Sequence, residues 1–121
     1  WKSFIDLGIP IPGGSDCPIE DGEPLFEYYA AVTRQNHSGW PEGGWQPQEK
    51  LDRLNALKMF TTWAAFGEFS EDRRGLIQKG YDADFTIYDN DITTCKSSEI
   101  LNSKLIATIV NGTFVHNPNQ L

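Results

Sequence analysis

The spacing of apolar positions changes three times along the chain. Between residues 4 and 12 they alternate loosely with Gly and Pro, and LGIPIP (7–12) has the length of a buried strand whose prolines require an edge or a strand end. Gly13-Gly14 ends that run. From residue 24 the spacing turns helical: Leu25, Tyr28, Tyr29 and Val32 fall at i, i+3, i+4 and i+7, with Pro24 suited to a first turn and Arg34 to a last. A helix over 24–34 is predicted. Residues 35–46, QNHSGWPEGGWQ, show no period, and two tryptophans among glycines predict a long loop that packs on something. Pro47 opens a second helical stretch, with Leu51, Leu54, Leu57, Phe60 and Ala64 recurring every three to four residues. It predicts a helix to Phe66, with Thr61-Thr62 as the point of a break and Gly67 as the stop.

Beyond SEDRRG the period shortens to that of a strand. Phe85 to Tyr88 reads as one short strand, and KLIATIVNGTFVH supplies two apolar segments joined by Asn111-Gly112. Both residues tolerate positive φ, so the pair predicts a two-residue hairpin turn. Helices in the first half and strands in the second predict an α/β portion followed by a small sheet module.

Composition narrows the function classes. At 121 residues the chain suits one domain or a piece of one, and 39% hydrophobic residues exclude the signature of a disordered chain. A net charge of -7, with basic residues scattered among more numerous acidic ones, argues against a nucleic-acid partner. No apolar run approaches the ~20 residues that span a bilayer, and no charged and apolar leader opens the chain, so no membrane role is expected and cytoplasm is the default location. Cys17 and Cys95 are too few to make a disulfide framework or a cysteine-based zinc site, and both read as reduced thiols. The opening Trp1-Lys2-Ser3-Phe4-Ile5, with no Met and no polar lead-in, reads as cut from a longer polypeptide.

Residue chemistry singles out Asp16. A carboxylate just past a buried strand and two glycines sits where catalytic groups of α/β proteins gather. There it can ligate a metal, or take a proton from metal-bound water. On generic grounds the competing reading is a turn or cap made by Ser15 and Asp16. His37 and His116 lack any metal-ligand spacing and read as surface histidines. Ser15 lacks a nucleophile elbow and a base, and Cys17 lacks local support in the same way. Glu71 to Arg74 reads as a solvated charged turn, and GYDADF as a Gly turn entering a strand.

Four stretches in order, GIPIPGGSDCPIEDGEPLFEYYAAVTR, LDRLNALKMFTTWAAFGEF, RRGLIQKGYDADFTIYD and IATIVNGTFVH, resemble the C-terminal end of a metal-dependent amidohydrolase of the amidohydrolase-3 (YtcJ-like) family. The likeness runs from about residue 7 to 116. It implies the last strand and helices of a metal-containing (β/α)8 barrel at 1–70 and part of the flanking small β-sandwich at 71–121, an α/β assignment that becomes α+β if the piece folds alone. Gly14, Ser15, Asp16, Cys17 and Pro18 match the family's Gly-Ser-Asp-x-Pro, which implies Asp16 as a metal ligand and proton shuttle. Tyr81 departs from the family's lysine in the turn that starts at Gly80.

The family's other ligands, a His-x-His, a middle-strand lysine or carboxylate and two further histidines, have no counterpart among these residues. The resemblance therefore implies a parent that hydrolyses carbon–nitrogen bonds of a small amide with a divalent metal, zinc first, and an isolated chain that is catalytically silent and binds none. Surfaces exposed by removal from a barrel predict a homo-oligomer. The competing class is a noncatalytic regulatory or interaction module, with Trp40 and Trp45 as its contact surface.

Overall fold

The computed structural model describes residues 1–117. Its helices are α1 (Lys2–Asp6), α2 (Pro24–Thr33), α3 (Arg53–Met59), α4 (Thr62–Gly67) and α5 (Ser97–Ile100); its strands are β1 (Phe85–Tyr88), β2 (Leu105–Val110) and β3 (Thr113–His116). The mixture is a helical layer and a small antiparallel sheet, of α+β type.

Helix α2 forms where the apolar stripe predicts it. Pro24 occupies its first turn, and Leu25, Tyr28 and Tyr29 are buried. Arg34 is not in the last turn but just past it, at φ 60, where its N–H donates to Ala30 O at 2.8 Å and closes the helix. The second helical stretch is divided twice. A single 3-10 turn (Pro47–Glu49) precedes α3, and Asp52 starts α3 by accepting the Asn55 N–H at 2.8 Å. The break before α4 falls at Phe60-Thr61, one residue from its predicted place. Of the apolar stripe, Leu51 is buried and Leu57 and Phe60 pack against the core, but Leu54 is 64% exposed, and the buried face of α3 is made by Ala56 and Met59 instead.

That core joins Leu25, Tyr28, Tyr29 and Ala31 of α2 to Leu51, Ala56, Met59 and Ile100. Ile100, on α5, is fully buried although it lies in the strand-rich half. Polar bonds reinforce the seam: Arg53 donates through Nη1 to Ile92 O at 2.8 Å and through Nη2 to Cys95 O at 3.1 Å, and Tyr28 Oη donates to Ile92 O at 3.1 Å. These bonds occupy the carbonyls of two half-buried residues, Ile92 and Cys95.

The sheet runs in order β1-β2-β3, all antiparallel, with Phe85 opposite Ile109 and Val110 opposite Thr113. Asn111 and Gly112 take φ of 50 and 75, the two left-handed residues that the sequence predicts for the hairpin. Asp84 and Ala83 tie the turn back to β1, accepting the N–H groups of Asn111 at 2.7 Å and Gly112 at 2.9 Å. GYDADF is therefore a structural lock.

Two sequence expectations fail. Residues 2–6 are helical, and 7–12 join no strand ladder. A parallel strand exists only against neighbours, and none of the described segments pairs with 7–12, where Pro10 and Pro12 also lack donors. The tryptophan loop is ordered by polar bonds rather than by burying its indoles: Trp40 and Trp45 are 69% and 60% exposed. Trp45 lies on the Arg34 guanidinium at 5.0 Å.

Candidate functional site

The stretch leading to Asp16 is anchored on α3. Gly13 donates its N–H to Met59 O at 2.9 Å, and a Cβ on Gly13 would stand 3.0 Å from Met59 Cβ. A larger residue there would push Met59 and Phe60 aside; Gly14 has open space around it. Of the two glycines, Gly13 alone makes the close backbone contact.

Asp16 itself adopts φ 50, a conformation that Asp tolerates better than most residues. Its backbone carbonyl accepts the N–H groups of Ile19 at 2.8 Å and Glu20 at 3.1 Å, closing the next turn. The turn is thus made by the main chain. Among the described residues the Asp16 carboxylate is exposed and has no hydrogen bond or ion pair. A side chain spent on a local turn is not what forms, and both oxygens remain available to a ligand.

Asp16 opens onto a groove of about 620 Å³ whose walls include Glu20, Phe26, Glu27, Asn36 and His37. Glu27 lies in the first turn of α2, and burial pushes its carboxyl above the ordinary range, with Glu20 and Asp16 adding to the rise and His37 opposing it. These groups therefore share one electrostatic environment.

His37 is exposed, as a surface histidine should be, but it also belongs to this groove, where its ring packs on Phe26 with centroids 4.0 Å apart. Spacing could not have found it, because the groove forms only when the loop after α2 folds back past the helix start. His116 stands on β3, away from the groove. Cys17 and Cys95 are free thiols. The charged turn at 71–74 is more than solvated: Arg73 and Arg74 pair with Asp82, and Arg74 also reaches Glu68 at 3.1 Å.

Among the described residues no three His, Cys, Asp or Glu side chains stand where they could hold a metal ion. Zinc sites take three or four protein ligands. Asp16 offers one oxygen ligand, so these residues alone do not fit a metal centre. No helix among them is long and apolar enough to cross a membrane.

The helical layer and small sheet have a fold found within an amidohydrolase. Over 96% of this chain it is similar to 25% of the crystal structure of an amidohydrolase from Thermotoga maritima MSB8, with a TM-score of 0.68 at 20% identity, a likeness that speaks for the fold. The sequence model of the Amidohydrolase family matches residues 1–116, and the chain belongs to that family. It is 34% identical over 116 residues to the putative amidohydrolase YtcJ of Bacillus subtilis (strain 168), covering 96% of this chain and 22% of that protein. To the N-substituted formamide deformylase of Arthrobacter pascens it is 27% identical over 111 residues, covering 92% of this chain and 20% of that enzyme. The chain thus spans between 20% and 25% of the length of these relatives.

Proposed function

We propose that this chain is the C-terminal part of a hydrolase that breaks non-peptide carbon–nitrogen bonds, with Asp16 as metal ligand and general base. The observation that carries the reading is the unspent Asp16 carboxylate at the mouth of a groove, within the family-like Gly14-Ser15-Asp16-Cys17-Pro18. Residues 1–70 supply the last strand and helices of a barrel, and 71–121 part of its flanking sandwich. Residues 10–12 support this, because they join no strand ladder among the described residues and lead directly to Gly13, whose N–H donates to Met59 O on α3.

A divalent metal, zinc first, would be held by Asp16 together with ligands outside this chain and would acidify the attacking water. Asp16 accepts a proton as water adds to the carbonyl carbon. When the carbon–nitrogen bond breaks, the same carboxylate returns that proton to the departing nitrogen. The relative that acts on N-substituted formamides makes a small N-substituted amide the first substrate class to try.

With one ligand, the isolated chain has no metal and no activity. Its exposed apolar side chains, among them Leu7 and Ile77, support self-association through surfaces that the rest of a barrel would cover. The test compares the complete protein with this chain alone on N-substituted formamides, with and without a chelator. Chelator-sensitive hydrolysis by the complete protein and none by the chain is expected. Chelator-insensitive hydrolysis, or activity in the chain alone, overturns the reading.

A further inference from the structure

Donors and acceptors in the groove are unequally committed. Gln35 spends its amide N–H groups on Gly39 O at 2.6 Å and Pro41 O at 3.0 Å, and Ser38 Oγ donates to Asn36 Oδ1 at 2.7 Å. Asn36 Oδ1 also accepts the N–H groups of Ser38 and Trp40, both at 3.0 Å, so the loop is locked from within. What remains unspent among the described residues is the ring N–H of His37 and the amide N–H groups of Asn36. The His37 ring lines the groove and packs at a tilt on Phe26, with centroids 4.0 Å apart, and no hydrogen bond within the described residues uses its nitrogens. A packed aromatic with a free donor is a ready-made contact for a ligand acceptor.

We infer that His37, backed by Asn36, is a specificity-determining residue that donates a hydrogen bond to a neutral oxygen on the substrate portion away from the bond to be cut. Charge decides for a neutral acceptor. Asp16, Glu20, Asp21 and Glu27 all line the groove, and a substrate carboxylate placed among them would be repelled. An ether, hydroxyl or carbonyl oxygen escapes that repulsion and still takes the donor. The inference rests on the hydrolase reading, and it adds a residue and a substrate feature to it.

The test uses the complete protein and three N-substituted formamides of matched length. One carries an ether oxygen in its substituent, one a methylene in its place, and one a carboxylate. The expected order of kcat/KM is ether above methylene by about three- to ten-fold, the yield of one net hydrogen bond, with the carboxylate slowest. His37→Phe keeps a ring against Phe26 and should bring the ether-to-methylene ratio to about one, with His37→Ala doing the same. Equal losses on both substrates, no loss on either, or a preference for the carboxylate overturns the inference while leaving the hydrolase reading intact. No Asp16-dependent hydrolysis of any of the three overturns the hydrolase reading, and this one with it.

Discussion

Replacing Ile100 by Ala probes whether the two halves of the chain share one core. Ile100 is fully buried in the core with side chains of α2 and α3, and among the described residues it is the largest side chain buried so completely. Truncation removes three carbons, about 2.4 kcal/mol at roughly 0.8 kcal/mol each, before any cavity left behind is counted. With the cavity the expected loss is about 2–5 kcal/mol, a large share of the 5–15 kcal/mol that holds a domain together. Urea denaturation of this chain, followed by tryptophan fluorescence, should show the midpoint fall by about 1–3 M with an unchanged slope. Phe69→Ala is the matched control, because Phe69 is 90% exposed, and it should shift stability by no more than about 0.5 kcal/mol. An Ile100→Ala loss no larger than that of Phe69→Ala would refute the shared core. Two separate transitions in the parent chain would refute it as well.

Three further substitutions test the parts that position the groove. Asp52→Ala removes the cap of α3 and should cost about 0.5–2 kcal/mol by the same urea assay, with Asp52→Ser recovering most of it. Gly13→Ala forces a Cβ to within 3.0 Å of Met59 and should cost about 1–3 kcal/mol, while Gly14→Ala has open space and should cost far less. Glu27→Gln addresses pH. Burial first, then Glu20 and Asp16, holds the folded-state carboxyl above its ordinary 4.5, so the folded state binds this proton more tightly than the unfolded state does. The contribution of Glu27 is then best below 4.5 and is lost as pH rises through the raised folded value. Glu27→Gln should stabilise the chain at pH 7, and the difference should vanish on acidification below 4.5. A Gln variant less stable at neutral pH, or a gain independent of pH, would contradict this.

Much of the fold is legible in local pattern. The Leu25, Tyr28, Tyr29 stripe locates α2, and Asn111-Gly112 marks the hairpin, because each signal is complete within a few residues. Elements that depend on distant partners are not legible in this way. The 7–12 run has a strand's sequence and no neighbour to pair with. Helix α5 is too short to show a period, and only its docking on α2 reveals why Ile100 is apolar. At the site, Asp16 is legible through its motif, whereas residue typing alone leaves a turn or cap made by Ser15 and Asp16 as the stronger reading. The structure closes that turn with the Asp16 carbonyl instead, which leaves the carboxylate free. His37 carries no signal in spacing, because its place in the same groove as Asp16 arises from the fold of the 35–41 loop around Asn36.

The central claim is that the Asp16 carboxylate does chemistry. Its most direct test is the rate of N-substituted formamide hydrolysis by the complete protein before and after Asp16→Asn, with the folded state verified by circular dichroism. The side chain is exposed and makes no bond within the chain, so the fold should survive. Loss of a general base predicts a fall in kcat of about 10²- to 10⁴-fold, and loss of a metal ligand deepens it. A folded Asp16→Asn protein that hydrolyses the amide within about tenfold of the parent rate, well short of that range, would remove Asp16 from the mechanism.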